Sequence, residues 1–281
     1  MEGSTATWRD TEKQTTRNVA RRRRQMLETV AEAGSTQVDQ LAARFGISRM
    51  TVHRDLDDLV GQGLVRKVHG GVTTRASALV ETSILLREHA FEREKQAIAR
   101  SAVKLINPGQ VIIIDDSTTA AAMVPFLLAI TPLTVLTNSL GVVQTLCHVH
   151  GIKVICLGGD YVSTFNAFFG LVCEQAITAL RANTLFMSSS TVFGAAAYHQ
   201  EQDVVKIKRA LMGIVDRRVL MVGSGKFGMT ALNRMASLSE FDDVLTDDGL
   251  DSPQRAELLH LGINLRIAGE PDVDKAQGTP S

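Results

Sequence analysis

Aromatic side chains are scarce. They make up 5% of the 281 residues, with one Trp and two Tyr. The apolar share is still 44%, carried mostly by Ala, Val, Leu and Ile. An aliphatic core of that kind suits parallel strands buried on both faces. Cysteine is scarce as well. Cys147, Cys156 and Cys173 are odd in number and scattered, which argues against a disulfide framework and for reduced thiols. No run of eighteen apolar residues occurs, so no membrane-spanning helix and no membrane partner is expected. No apolar stretch follows the N-terminal charges, so no signal peptide is expected either. The expected location is the cytoplasm. Net charge is also missing, 30 Lys and Arg facing 30 Asp and Glu. That zero hides an asymmetry. Met1–Arg75 carries 13 basic against 9 acidic residues, and the remainder 17 against 21. A basic front and a mildly acidic body point to a polyanionic partner for the front alone.

Five segments follow from composition and periodicity. Residues 1–19 are polar and aperiodic and read as a loose tail, as do residues 270–281. Residues 20–75 form a front domain, 76–91 a linker leading into a helix, and 92–269 an α/β body. No internal repeat is found. In the front domain Met26, Leu27, Val30 and Ala31 recur at helical spacing before Gly34. Val38, Leu41, Ala42 and Phe45 share a face of a second helix, which Gly46 turns. Ser48 is a good N-cap for a third helix, Arg49–Val60, ended by Gly61 and Gly63. The β-branched residues around Gly70-Gly71 read as a small hairpin.

This is the pattern of a winged helix-turn-helix on double-stranded DNA. Val52, Leu56, Leu59 and Val60 bury one face of the third helix. Met50, Thr51 and Arg54 point the other way, flanked by Arg49 and His53. An exposed N-terminal helical turn is what enters a major groove, where Arg can bridge guanine and Thr or Met can touch a thymine methyl. Arg21, Arg22, Arg23 and Arg24, with Arg66, Lys67 and His69 of the wing, are candidate phosphate contacts. Ser48 opens the same helix and joins the candidates. The bland alternative is a small packed subdomain with a solvated charge run.

The stretch from Arg22 to Leu56 resembles the helix-turn-helix of the DeoR family of repressors. Arg22, Met26, Val30, Ser48, Thr51, Val52, His53, Arg54, Asp55 and Leu56 stand in the family's order and spacing, and QGLVRKVHGG resembles its wing. The resemblance implies that Asp55 holds structure together rather than reads DNA.

From Glu92 onward helices alternate with strands at Val111–Ile114, Leu133–Leu136, Lys153–Leu157, Leu185–Met187, Val219–Val222, Val244–Thr246 and Asn264–Ile267. Helices are expected at about Glu92–Ile106, Thr118–Leu128, Leu140–Val149, Leu171–Leu180, Asp203–Val215 and Gln254–Leu261. Such alternation means a mostly parallel sheet covered by helices. Ligands of these sheets bind outside the carboxyl ends of the strands, and five such ends are small and polar here. They are Asp115-Asp116-Ser117-Thr118-Thr119, Thr137-Asn138-Ser139, Gly158-Gly159, Ser188-Ser189-Ser190-Thr191 and Gly223-Ser224-Gly225-Lys226. Each alone reads as a cap or turn. Together they read as one pocket.

EKQAIARSA, LTNSL, LGG, KRALM and SGKFG resemble successive landmarks of the DeoR effector domain, so the resemblance runs through roughly Ala20–Leu250. That domain is similar in fold to pentose-phosphate isomerases and usually senses phosphorylated sugars. By position, Ser117, Thr118, Thr119, Asn138, Ser139, Gly158, Gly159 and Lys226 become effector candidates. Two departures stand out. The family's D-S-G-T-T is here Asp115, Asp116, Ser117, Thr118, Thr119, and its G-A-D-G is Ser188-Ser189-Ser190-Thr191. Asp116 repels phosphate unless it turns aside or pairs with Lys226 or a sugar hydroxyl. Tyr198, His199, Gln200 and Glu201 are candidates to replace the missing acidic contact, and Asp116 and Ser188 join the effector candidates. The effector is therefore expected to differ from common hexose phosphates, an unphosphorylated sugar or polyol included.

Other motifs are set aside. Phe227 follows Gly225-Lys226 where a nucleotide-binding loop needs Ser or Thr. Cys147, His148 and His150 read as a helix end rather than a metal site. Asp242-Asp243 and Asp247-Asp248 read as solvated flanks of a strand, Met212 and Met221 as core, and Trp8 has no role. No cofactor or metal is expected. The reading is a regulator, a repressor by resemblance, of carbohydrate-metabolism genes, controlled by a sugar-phosphate or related sugar or polyol, without enzymatic activity. Two operator half-sites imply a homodimer or homotetramer. The rivals are an isomerase-like enzyme with an accessory DNA module and a sensor whose front end binds protein.

Overall fold

A computed structural model describes residues 19–270 apart from 20, 24, 28, 31–32, 62–63 and 74–83. The expected loose tails apart from residues 19 and 270, and half of the expected linker, thus lie outside the described residues. The chain divides into two compact units, one up to residue 90 and one from residue 91 onward. Among the described residues no helix is long and apolar enough to cross a membrane.

In the first unit, residues 21–23, 25–27 and 29–30 are helical and form α1. Then come β1 (Ser35–Gln37), α2 (Val38–Phe45), α3 (Arg49–Gly61), β2 (Arg66–Val68), β3 (Gly71–Thr73) and α4 (Ile84–His89). Gly46 closes α2 in the left-handed region (φ 62°) and its N–H donates to the Ala42 carbonyl, a conformation glycine adopts without strain. Met26, Val30, Val38, Leu41, Val52, Leu56, Leu59, Leu64, Val65 and Val72 form one core. The expected hairpin is in fact a three-stranded antiparallel sheet, ordered β1-β3-β2, with Val72 facing both Thr36 and Lys67. β1 is three residues long, too short for a period-two signal to appear. Gly71 admits it, since a Cβ there would meet the Thr36 carbonyl oxygen at 2.3 Å.

One buried charge ties this unit together. Asp55 of α3 is 1% exposed and accepts from Arg22 Nε at 2.6 Å and Arg23 Nε at 2.9 Å. Burial alone would raise its pKa, but the hydrogen bonds from Arg22 and then Arg23 outweigh that and hold it below the ordinary aspartate range.

The second unit opens with α5 (Glu92–Val103). It continues through β4 (Val111–Ile114), α6 (Thr118–Ala121), α7 (Val124–Leu127), β5 (Leu133–Thr137), α8 (Leu140–Leu146) and β6 (Ile152–Cys156). Then come β7 (Asp160–Val162), β8 (Ala167–Phe169), α9 (Gly170–Thr178), β9 (Ala182–Met187), β10 (Thr191–Phe193), β11 (Ala196–His199) and α10 (Gln202–Met212). β12 (Val215–Met221), β13 (Asn233–Ser237), β14 (Asp243–Thr246), α11 (Ser252–His260) and β15 (Leu265–Ile267) complete it. Seven strands make a parallel sheet ordered β15-β14-β12-β9-β4-β5-β6. These are the seven expected from the sequence. Side chains alternate between two cores. Ile113, Leu136, Leu185 and Leu220 enter one, while Ile112, Ile114, Val135, Phe186 and Val219 enter the other.

Two expected helices change. Thr118–Leu128 breaks into α6 and α7 because Pro125, in the first turn of α7, offers no N–H to an α6 carbonyl. Asp203–Val215 stops at Met212, and Val215 instead opens β12. The hairpin β7–β8 and the small antiparallel sheet β10-β11-β13 were not anticipated. Their strands are three to five residues long.

The chain winds outward from β4 through β5 and β6, then returns to the other side of β4 at β9 and winds away through β12, β14 and β15. The carboxyl ends of β4 and β9 therefore form the crevice where winding reverses, the usual ligand position in such sheets.

Replacing Asp55 by Asn is expected to destabilise the first unit by about 1.5–3 kcal/mol, the loss of charge-assisted hydrogen bonds. A pKa depressed on folding gives stability that is present above the ordinary aspartate value, about pH 4, and lost as pH falls through the folded value. Hydrogen exchange in α3 should therefore accelerate below about pH 4 in the wild type, and the Asn variant should lack that step. An unchanged acid profile would refute the role given to Asp55.

Candidate functional site

Two sites emerge, one in each unit. In the first, Ser48 caps α3 by accepting from the Thr51 N–H at 3.2 Å, and the two hydroxyls meet at 2.9 Å. The cap fixes the first turn of α3. Arg49 and Met50 on it, and His53 and Arg54 on the next turn, are exposed, Met50 at 75%. Thr51 is half-buried. Asp55, Val52, Leu56 and Leu59 anchor the opposite face. Of the candidate phosphate ligands, Arg21 is exposed, Arg22 and Arg23 are engaged by Asp55, and Arg24 lies outside the described residues. Arg23 also pairs with Asp58. Arg66, Lys67 and His69 are exposed on the hairpin β2–β3. Arg49 pairs with Asp39 at 2.9 Å and Lys67 with Asp57 at 2.5 Å. All four of these side chains are exposed, so the pairs are weak and free to exchange an aspartate for a phosphate.

In the second unit the switch point is organised by Asp115, which is fully buried. One carboxylate oxygen accepts from the Ser117 N–H at 3.0 Å and the Ser117 hydroxyl at 2.5 Å. The other accepts from the Ser188 N–H at 3.1 Å and from Lys208 Nζ. Lys208 comes from α10, is 1% exposed, and also pairs with Asp116 at 3.2 Å. Two carboxylates thus share one ammonium, leaving one excess negative charge in a buried triad. Burial raises the Asp115 pKa, and Asp116 adds to the rise against the pull of Lys208. Lys208 is disfavoured by burial, yet Asp115 and Asp116 raise its pKa above the ordinary lysine range.

Ser117 caps α6 by accepting from the Ala120 N–H at 3.2 Å, and Ser139 caps α8 by accepting from the Val142 N–H at 3.4 Å. Thr119 and Asn138 are buried; Asn138 Nδ2 donates to the Phe168 carbonyl at 3.2 Å. Thr118, at the start of α6, is half-buried. Lys226 donates to the Ser189 carbonyl at 2.8 Å and lies 3.5 Å from the Ser188 hydroxyl. His199 is buried on β11, its Nδ1 accepting from the Glu201 N–H at 3.0 Å. The Glu201 side chain is exposed.

Gly158 and Gly159 turn the chain after β6. A Cβ on Gly159 would meet the Phe169 carbonyl oxygen at 2.3 Å, so packing accounts for it. Hydrogen bonds, with the Lys208–Asp116 ion pair, therefore join Asp115, Asp116, Ser117, Ser188, Ser189, Lys208 and Lys226 into one network. Among the described residues, no hydrogen bond shown here joins Gly158, Gly159 or Glu201 to it.

Three readings of the sequence are corrected. Asp116 pairs with Lys208, a lysine not among the partners expected for it. Asp243 is not a solvated flank: it is fully buried between Arg217 and Arg266, both at 2.6 Å. Asp247 is likewise buried, accepting from the Ser224 N–H at 2.7 Å and the Ser224 hydroxyl at 2.6 Å. Lys208 was missed although a signal existed. It sits four residues after Val204 and three before Leu211, inside the apolar stripe of α10, where a solvated lysine has no place. Among the described residues no group of His, Cys, Asp and Glu could hold a metal ion.

Comparison with known proteins agrees with both units. The family described as a DeoR-like helix-turn-helix domain matches residues 22–78, and that described as the DeoR C terminal sensor domain matches residues 90–248. The uncharacterized HTH-type transcriptional regulator YgbI of Escherichia coli K12 is 31% identical over 88% of this chain and 97% of its own length. The glycerol-3-phosphate regulon repressor of the same organism is 30% identical over 79% of this chain and 88% of its own. A putative aga operon transcriptional repressor of Escherichia coli O157:H7 is 25% identical over 89% and 94%. Among solved structures, a D-ribose-5-phosphate isomerase in complex with phospho-erythronic acid aligns over 48% of this chain and 54% of that one, at 13% identity and a TM-score of 0.37.

Lys208→Met is expected to cost about 3–5 kcal/mol, because it leaves two buried carboxylates without their cation. Asp116→Asn removes the excess charge and is expected to be neutral or to gain about 1 kcal/mol. A pKa raised on folding gives stability that is full below the unfolded value and lost as pH rises toward the folded one. The wild-type sheet should thus weaken as pH rises above about 4, and Asp116→Asn should flatten that slope. Hydrogen exchange in β4 and β9 across pH 4–8 measures both. A stable Lys208→Met variant would show that the triad does not hold the switch point.

Proposed function

The chain belongs to the DeoR family of transcriptional regulators, and from that membership we propose that it represses carbohydrate-metabolism genes under the control of a small sugar-derived effector. It is a DNA-binding regulator. We assign residues 20–75 to DNA binding and residues 92–269 to the effector, with no catalytic role for either. The observation that carries the DNA assignment is the first two turns of α3. Its outward side chains, Met50, His53 and Arg54, are exposed, while its inward face is locked by the Asp55–Arg22–Arg23 cluster. A rigid helix presenting an Arg at its N-terminal end is what direct readout of guanine requires. Arg49, Arg66, Lys67 and His69 border it and are assigned to phosphates, with Arg21. Arg22 and Arg23 support the fold instead.

The non-catalytic reading of the body rests on its charge pairs. The carboxylates nearest the switch point are held by Lys208, so neither is poised to take a proton from a substrate. We place the effector against the network of Asp115, Asp116, Ser117, Ser188 and Lys226, with Asn138 and His199 beside it. Binding there shifts the population between two forms of differing operator affinity. Pseudo-palindromic operators call for two copies, so the working unit is a homodimer or homotetramer acting in the cytoplasm.

The test is DNA selected from a random pool by the full chain, followed by fluorescence anisotropy at several salt concentrations. Arg54→Ala is expected to cost about 1–3 kcal/mol on the selected site and little on random DNA. Lys67→Ala is expected to weaken both equally and to lower the salt slope by about one. A chain with no salt-dependent DNA affinity would overturn the assignment. Turnover of pentose or hexose phosphates would overturn the non-catalytic reading.

A further inference from the structure

Both lysines and several of the donors at the switch point are already engaged. The Ser117 N–H and hydroxyl and the Ser188 N–H all donate to Asp115. The Ala120 N–H donates to Ser117 Oγ. Lys208 is held between Asp115 and Asp116, and Lys226 donates to the Ser189 carbonyl. Beside them stand three buried polar atoms without partners, one an amide acceptor and two hydroxyls that both donate and accept. Asn138 Oδ1, Ser189 Oγ and Thr191 Oγ1 are each shielded from solvent and have no hydrogen-bond partner. Their residues are 0%, 3% and 4% exposed. Buried polar atoms of native proteins are almost always satisfied, and each exception calls for a cause. Asn138 follows β5 and Ser189 follows β9, the two neighbours of β4. At about 4.8 Å per strand spacing they lie about 10 Å apart across the end of β4, a span comparable to the length of a short polyhydroxy chain.

We propose that the effector is an uncharged sugar or polyol, read by Asn138, Ser189 and Thr191, and that Asp116 takes the place on Lys208 that a ligand's phosphate would otherwise claim. This rests on the reading of the second unit as an effector domain. Asn138 Oδ1 accepts a ligand hydroxyl, and the Ser189 and Thr191 hydroxyls each donate to or accept from another. Asp116 sets the specificity. Its carboxylate neutralises Lys208 and opposes any further anion, while a neutral hydroxyl suffers no such penalty.

The experiment is a thermal-shift series on the full chain. Ribose, xylitol, mannitol and inositol are each set beside their monophosphates, with inorganic phosphate and sulfate at matched ionic strength. At least one neutral compound should raise the melting temperature, and the phosphates should do no more than sulfate. Asn138→Ala and Ser189→Ala should weaken the neutral ligand at least about tenfold. Asp116→Ser should acquire a response to inorganic phosphate or a monophosphate. Asp116→Asn, which keeps the shape, serves should the Ser variant fold poorly. If a monophosphate stabilises the wild type and its free sugar does not, the proposal fails while the effector-domain reading stands. If no compound of the series acts on any variant, that reading fails and the proposal with it.

Discussion

The second unit depends on one carboxylate. Asp115 stands at the end of β4, the strand at which the winding of the sheet reverses, and both of its oxygens are spent on holding neighbours. It fixes the turn into α6 through Ser117, the exit of β9 through Ser188, and α10 through Lys208. A hydrophobic residue could not do this. Those N–H groups would be left buried without acceptors, at a cost of about 1–3 kcal/mol each. Lys208 is the necessary complement. An isolated buried carboxylate would have to neutralise or open the site, and the ammonium delivered from the apolar stripe of α10 opposes both. The strand ends are thereby held in place, which any pocket built on them requires.

The first unit solves a similar problem with the signs arranged differently. There a single buried carboxylate, Asp55, is shared by two guanidinium groups. It fixes α1 against α3 from the inside, leaving the outer turn of α3 free of structural duty. The division of labour is visible along one helix. Ser48, Val52, Asp55, Leu56 and Leu59 hold, while Met50, His53 and Arg54 are displayed. Arg22 and Arg23 show why a run of arginines is a poor guide to a nucleic-acid surface. Their charge reads as electropositive in the sequence, but in the fold it is largely cancelled by Asp55 and Asp58.

Much of the fold was legible in the sequence because its signals are local. The seven strands of the main sheet are short aliphatic runs punctuated by polar turns, and the cap at Ser48 and the turn at Gly46 are single-residue features with direct backbone causes. What escaped is non-local. β1 and the strands β10, β11 and β13 are short, and pairing across the fold rather than periodicity makes them strands. Pro125 divided a helix that its apolar pattern had joined. Asp243 looked solvated because the two arginines that bury it lie on β12 and β15. Lys208 stands 93 residues from Asp115, so no motif could unite them. Only the anomaly of a lysine on an apolar stripe pointed inward.

The triad at the switch point is dearer than stability requires. Buried ion pairs are often replaced by apolar residues without loss, and here a second carboxylate adds charge that one lysine cannot balance. A residue that raises the cost of a fold is best explained by what it excludes. Asp116 adds negative charge where Asp115 and its donors already form a closed set, so its main physical effect is on whatever approaches next. An anion meets repulsion there in addition to its own desolvation, whereas a hydroxyl meets only desolvation. The unsatisfied Asn138 Oδ1 acts in the same sense, since it needs a hydrogen-bond donor, while Ser189 Oγ gains from any hydrogen-bonding group. A ligand that satisfies them can favour one conformation over another, and differential stabilisation of this kind is all that a population shift requires.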